Sequence, residues 1–197
     1  MFPTKSFAAL DPKKPLQAFT IQRREPGIND VQIKIMYCGI CHTDIHQARN
    51  EWGHSMFPMV PGHEIVGQVV KTGKSVKKFK VGDYVGVGCM VDSCGNCKDC
   101  KDHLEQFCNS VSYTYNSQDS KTKEVTYGGY ADAIVVSQKF VLKISKKLNL
   151  AAVAPLLCAG ITTYSPLKRW KVTAGQKVGV VGLGGLGHMA VKIAKAM

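Results

Sequence analysis

Long apolar runs are missing from this sequence. No stretch approaches the roughly 20 residues that a helix needs to cross a bilayer, and Met1 to Leu10 lack a continuous apolar segment followed by a cleavage site. The expectation is a cytoplasmic chain with no membrane partner. Internal repeats and low-complexity segments are absent too, which excludes solenoids and disordered tails. Acidic residues are few: 14 Asp and Glu stand against 26 Lys and Arg, a net charge of +12. That excess raises nucleic acid as a partner. The lysines argue against it. Lys71, Lys74, Lys77, Lys78 and Lys80 cluster around Gly73 and Gly82, where a turn is expected, with no interleaved aromatics to stack bases. They read as a solvated face, and no nucleic-acid partner is expected.

What is present is a globular chain of 197 residues with 45% hydrophobic content, room for one full domain and part of another. Val31 to Cys38 alternate apolar and polar residues, the pattern of a half-buried strand. Ile65 to Val70, Val81 to Val87 and Tyr130 to Val136 are further β-rich runs. Residues 1–150 therefore read as one mostly-β body. The character changes after Leu150. Ala151 to Ile161 suggest a buried helix, Thr162 to Trp170 a second helical piece, and Lys177 to Val181 a short buried strand. The run Gly182-Leu183-Gly184-Gly185-Leu186-Gly187 follows, then a helix to the last residue.

Eight cysteines carry the chemistry. Cys94, Cys97, Cys100 and Cys108 follow C-x2-C-x2-C-x7-C. Four thiolates can close a tetrahedral shell around zinc, and Gly95 and Asn96 supply the turn between them. A shell of four sulfurs has no open position, so its role is structural. Disulfides or an iron–sulfur cluster are the alternatives that ligand type alone leaves open. Cys41, His63, Glu64 and Cys158 are scattered, and each alone reads as packing. Together, two sulfurs and one imidazole would leave a zinc position open, as catalysis requires.

Gly62 to Val76 spell G-H-E-x2-G-x5-G-x2-V, which resembles the signature of zinc-dependent medium-chain alcohol dehydrogenases. Cys38 to His46 and Pro155 to Pro166 are most similar to the cinnamyl alcohol dehydrogenase branch, including its bacterial aldehyde reductases. The resemblance implies a mixed fold. A mostly-β GroES-like catalytic domain over 1–150 is followed, over 151–197, by the first βα unit of a Rossmann-type doubly wound domain.

It also implies roles. Cys41, His63 and Cys158 would bind a catalytic zinc, with Glu64 as exchangeable fourth ligand. Asp44 would accept a hydrogen bond from the His63 ring. Thr43 and His46 would be the first and last groups of a proton relay. His42, Thr162, Gly182, Gly184, Gly185, Leu186 and Gly187 would meet the cofactor, the glycines at a turn that lays pyrophosphate on a helix N-terminus. Trp52 would line the substrate pocket. The implied cofactors are two zinc ions per chain and NADP(H) rather than NAD(H), although the residue that selects between nucleotides would fall beyond residue 197. The implied reaction interconverts primary alcohols and aldehydes, most readily as NADPH-linked aldehyde reduction, in a homodimer.

One βα unit cannot form its own core. The 197-residue chain alone is accordingly expected to be an inactive fragment, with residues 178–181 prone to aggregation. Competing readings are a zinc-binding interaction or nucleic-acid module, a quinone reductase on the same fold, which has no use for Cys41, His63 and Cys158 together, and a polyol dehydrogenase of the same superfamily.

Overall fold

A computed structural model describes all residues, 1–197. Strands β1 (Phe2–Ala8) and β2 (Gln17–Arg23) form an antiparallel hairpin. Strand β3 (Asp30–Cys38) leads into helix α1 (His42–Ala48), and β4 (Ile65–Thr72) and β5 (Tyr84–Val87) follow. A lobe projects next, built from β6 (Met90–Asp92), the short helix α2 (Lys98–Lys101) and β7 (Ser112–Tyr113). Strands β8 (Ala133–Ser137) and β9 (Leu142–Lys143) complete a five-stranded antiparallel sheet in the order β8-β3-β4-β5-β9. Helices α3 (Leu150–Val153), α4 (Ala159–Arg169) and α5 (Gly185–Ala196) close the chain.

The alternating pattern read from β3 places Val31 and Ile33 fully inside. They join Ile65, Val69, Val85, Val87, Ile134 and Val136 in the main core. Each such side chain contributes roughly 1.5–3 kcal/mol on burial. A second, smaller core packs Val66, on the opposite face of β4, against Val153, Ala154 and Leu157. The mostly-β expectation for residues 1–150 matches this architecture.

Several expected elements differ. β5 begins at Tyr84 rather than Val81, because the chain turns through Gly82 at φ +91° and leaves Val81 exposed. β8 begins at Ala133, since Tyr130 to Asp132 bond instead to Pro61 and to β1. The helix expected over 151–161 is broken: a 3-10 turn spans Ala154–Leu157, with Pro155 at its start, and α4 begins only after Cys158. Lys177 to Val181 form no strand, and Val178 and Val181 are exposed. A strand exists through the partners of its N–H and C=O groups, and this chain sets no neighbour beside that segment. No single helix is long and apolar enough to cross a membrane; the bent pair Leu150–Leu157 and Ala159–Arg169 meets the length and composition only jointly, across a 53° bend.

Candidate metal centres and adjoining cavity

Sheet register explains how distant residues meet. β3 and β4 are antiparallel partners, and Cys38 faces Ile65. Cys41, three residues past Cys38, and His63 and Glu64, just before Ile65, therefore leave the same edge of the sheet. Ile65 also pairs with Val87, so β5 delivers Gly88 and Cys89 to that edge. Cys158 arrives from the other side. Leu157 lies against Gly86 and Gly88, where a Cβ would come within 2.9 Å of its side chain and 2.8 Å of its carbonyl oxygen respectively. Bare backbone at those two positions lets the 3-10 turn sit down on β5, which carries Cys158 in.

The result is a four-residue donor set. Ligand atoms of Cys41, His63, Glu64 and Cys158 all lie within 4.8 Å of one another. The Cys41 and Cys158 sulfurs are 3.9 Å apart. Buried His63 Nε2 and Glu64 Oε2 have no hydrogen-bond partner. Leaving such groups unpaired costs about 1–3 kcal/mol each, so this arrangement wants a cation. The acids agree. Burial, with Cys41 nearby, pushes the Glu64 carboxyl up to about 7. The hydrogen bond with Cys158, then burial, push the Cys41 thiol up to about 11. Crowded acids that resist ionisation together become good ligands once a cation removes the repulsion. Two soft sulfurs and an imidazole suit zinc.

Asp44 does not take the partner expected of it. Its Oδ1 accepts from the Gly62 N–H at 3.0 Å, and its Oδ2 from the Cys41 N–H at 2.9 Å and the Tyr130 hydroxyl at 3.1 Å. No hydrogen bond joins it to the His63 ring. The carboxylate is spent on backbone donors of the two loops that carry the ligands, because Asp44 sits in the first turn of α1 and reaches back to cap Cys41. The His63 ring is held instead by Tyr115, stacked 5.6 Å away with planes 15° apart.

A cavity of about 510 Å³ opens beside the donor set. Thr43, His63, Cys89, Tyr115 and Cys158 line it, as do Gln47, His54 and Asn116. Asn116 Nδ2 donates to Gln47 Oε1 at 2.7 Å and its Oδ1 accepts from the Met56 N–H at 2.8 Å, tying α1 to the loop on the far wall. Trp52 is not in the lining. It is half-exposed and stands between the rings of His46 (4.9 Å) and His54 (6.1 Å). His46 Nδ1 pairs with Glu51, and the exposed His42 ring lies 4.7 Å from that of His46. Thr162 is exposed on α4, one residue before buried Thr163.

The second cluster is complete in itself. Sulfurs of Cys94, Cys97, Cys100 and Cys108 lie within 4.8 Å of one another, those of Cys94 and Cys100 at 3.8 Å. Gly95 at φ +71° makes the turn that aims the Cys97 N–H at the Cys94 sulfur. Backbone N–H groups of Asn96 and Cys97 pull the Cys94 thiol down to about 6. Few apolar side chains hold this lobe, since Phe107 and Leu104 are both exposed. Four thiols this close, in a lobe without a core, fit an enclosed structural ion.

Gly182 takes φ +85°, and a Cβ on Gly187 would collide with the Gly182 carbonyl. The turn is therefore closed by glycine at both ends. Gly184, Gly185 and Leu186 lie exposed at the N-terminus of α5.

Residues 27–146 match the alcohol dehydrogenase GroES-like domain family. The chain belongs to this family. It is 56% identical over 194 residues to the aldehyde reductase YahK of Escherichia coli, covering 98% of this chain and 56% of the relative. It is 55% identical over 194 residues to a probable mannitol dehydrogenase of Fragaria ananassa, with 97% and 53% covered. The solved cinnamyl alcohol dehydrogenase of Helicobacter pylori in complex with NADP(H) superposes with a TM-score of 0.96 at 54% identity, over 99% of this chain and 56% of that one. The chain thus spans little more than half the length of these relatives. Within the GroES-like family region lie Cys41, His63, Glu64 and the four-cysteine lobe; Cys158 and the glycine turn lie after it.

Sequence reasoning missed Cys89, Tyr115 and Tyr130. Cys89 sits at position five before Cys94 in an apolar stretch and reads as packing. The tyrosines carry no spacing signal, and only the fold brings them to the site.

Proposed function

We propose that this chain is the catalytic portion of a zinc-dependent oxidoreductase that interconverts primary alcohols and aldehydes with NADP(H). The observation that carries the reading is the donor set Cys41, His63, Glu64 and Cys158, two of whose members, His63 and Cys158, line a 510 Å³ cavity. Cys41, His63 and Cys158 would hold one zinc with Glu64 in reach, and the four-cysteine lobe a second. The turn from Gly182 to Gly187, with His42 and Thr162, would meet the nucleotide. When bound, zinc supplies Lewis acidity at the substrate oxygen and the nicotinamide supplies the hydride.

The chain's own residues do the rest. Thr43, on the cavity wall, holds a hydroxyl next to the donor set, where it can take or return the alcohol proton. Further along α1, the Nδ1 of His46 is engaged by Glu51, which fixes the ring and leaves Nε2 to exchange a proton with solvent. Tyr115 backs the His63 ring, and the Gln47–Asn116 pair closes the wall that excludes water. The aldehyde class is supported by the 56% identity to an aldehyde reductase, and NADP by the likeness to an NADP(H)-bound relative. A protein carrying the remaining length of those relatives is the active form in this reading; one βα unit cannot build a dinucleotide site alone.

The test is metal content with activity. Purified chain expressed with ample zinc should hold two ions. A version extended to the relatives' length should oxidise NADPH with benzaldehyde or cinnamaldehyde, and Cys41→Ser should abolish that turnover and remove one ion. One ion per chain, with salt-sensitive DNA binding, would favour the interaction-module reading instead. Turnover of mannitol in preference to aldehydes would favour the polyol reading.

A further inference from the structure

We infer that Tyr130 is a positioning residue for the accessible metal centre and acts through Asp44. The inference rests on reading Cys41, His63 and Cys158 as zinc ligands.

Tyr130 belongs to a strap, residues 128–130, that runs beside residues 60–62. Gly128 and Gly129 donate to the carbonyls of Val60 and Gly62 at 2.7 Å, and Tyr130 to that of Pro61 at 3.0 Å. The strap is anchored from behind. Nη2 of buried Arg23 donates to the Gly128 carbonyl at 2.8 Å, and the Phe7 N–H donates to the Tyr130 carbonyl at 2.9 Å. Its aromatic ring lies over Gly62, where a Cβ would come within 2.7 Å of the ring. The hydroxyl then reaches Asp44 Oδ2 at 3.1 Å.

Asp44 is the junction. Fully inside the protein at 3% exposure, it joins the Cys41 N–H to the Gly62 N–H. Those two groups belong to the loop of Cys41 and to the residue immediately before His63. One carboxylate thus sets the distance between two ligand-bearing loops, and one phenol decides where that carboxylate stands. Without the hydroxyl, Asp44 can rotate about χ2 and satisfy one loop at the other's expense. The polar link between the two side chains is the hydroxyl hydrogen bond, so the ring packed over Gly62 gives the carboxylate no substitute for it.

Tyr130→Phe keeps the ring and deletes only the hydroxyl. Measured on the chain loaded with zinc or cobalt(II), ion binding at the accessible centre should weaken on the order of tenfold, the low end for groups that orient metal ligands. The four-sulfur centre should stay filled and the cobalt d–d absorption of the accessible centre should shift. Asp44→Asn should weaken binding further, and the double variant should be no worse than Asp44→Asn alone, since both act on one element. Unchanged affinity with an unshifted cobalt spectrum in Tyr130→Phe would overturn the inference. So would additive losses in the double variant, or loss of both ions together with a lowered thermal midpoint, which would mark a general folding role. A wild-type chain that holds a single ion would overturn the zinc reading itself, a failure distinct from the other three.

Discussion

The sulfur atoms of Cys41 and Cys158, 117 residues apart in sequence, lie 3.9 Å from each other. Neither belongs to a regular strand. One follows β3 and the other caps α4 after a 3-10 turn. Their meeting depends on where β5 allows Leu157 to settle.

That dependence is testable at Gly88. A Cβ there would stand 2.8 Å from the Leu157 carbonyl oxygen, a backbone atom that cannot swing away without moving Cys158. Gly88→Ala should cost about 1–3 kcal/mol by overpacking. It should also weaken ion binding at the accessible centre while sparing the four-cysteine lobe. Thermal unfolding and chelator competition on the same samples measure both effects.

The two centres should also separate by variant. Cys97→Ser should lower yield and thermal midpoint, because the lobe has little apolar packing to stand in for the ion its four thiols would hold. Cys41→Ser should leave the fold in place and remove one ion. Elemental analysis beside circular dichroism distinguishes the two outcomes.

Metal binding at the accessible centre should strengthen as pH rises. Its thiols begin protonated, Cys41 being raised to about 11, and the Glu64 carboxyl, raised to about 7, is partly protonated at neutral pH. The hydrogen bond with Cys41 pulls Cys158 down, but Cys89 and burial outweigh it and leave the thiol at about 12. Binding must expel those protons, so affinity should grow roughly tenfold per pH unit for each proton released. Calorimetry in buffers of different ionisation enthalpy counts them. A pH-independent affinity between 6 and 8 would contradict the assigned donors.

Acid stability should turn on Asp30. Its carboxylate is fully buried, paired with Arg24 Nη1 and with Lys121 Nζ at 2.6 Å. Burial alone would raise its pKa, but the hydrogen bonds from Arg24 and Lys121 more than offset that and hold it below the usual carboxylate range. A depressed folded-state pKa contributes stability that is present above the unfolded value near 4 and is lost as pH falls through the folded value. Asp30→Asn should therefore cost about 2 kcal/mol at neutral pH, discounted because Lys121 is half-exposed, and should flatten the acid side of the stability curve. Denaturant titrations from pH 7 down to 3 provide the check.

The cysteine lobe was legible from spacing alone, because ligands six or fourteen residues apart on one loop have few ways to avoid each other. β3 was legible from alternation and β4 from its β-rich composition. The Cys41–His63–Cys158 set was legible only by resemblance, since no local pattern announces that three loops share an edge. Asp44 illustrates what sequence could not give. Its type suits a partner for an imidazole, yet the N–H groups of Cys41 and Gly62 and the Tyr130 hydroxyl lie nearer at hand, and those win. The run 177–181 has the composition of a buried strand, but pairing belongs to the partner as much as to the sequence.

The pairing of Cys38 with Ile65 has a consequence for how the chain reaches its native state. A slip of one residue between β3 and β4 would turn every inward side chain outward, and it would also carry Cys41 away from His63. An ion that needs both ligands stabilises the correct alignment and no neighbouring one. A bound ion would thus reinforce an alignment that the buried faces of the two strands already set, which is why Cys41→Ser can lose the ion and keep the fold.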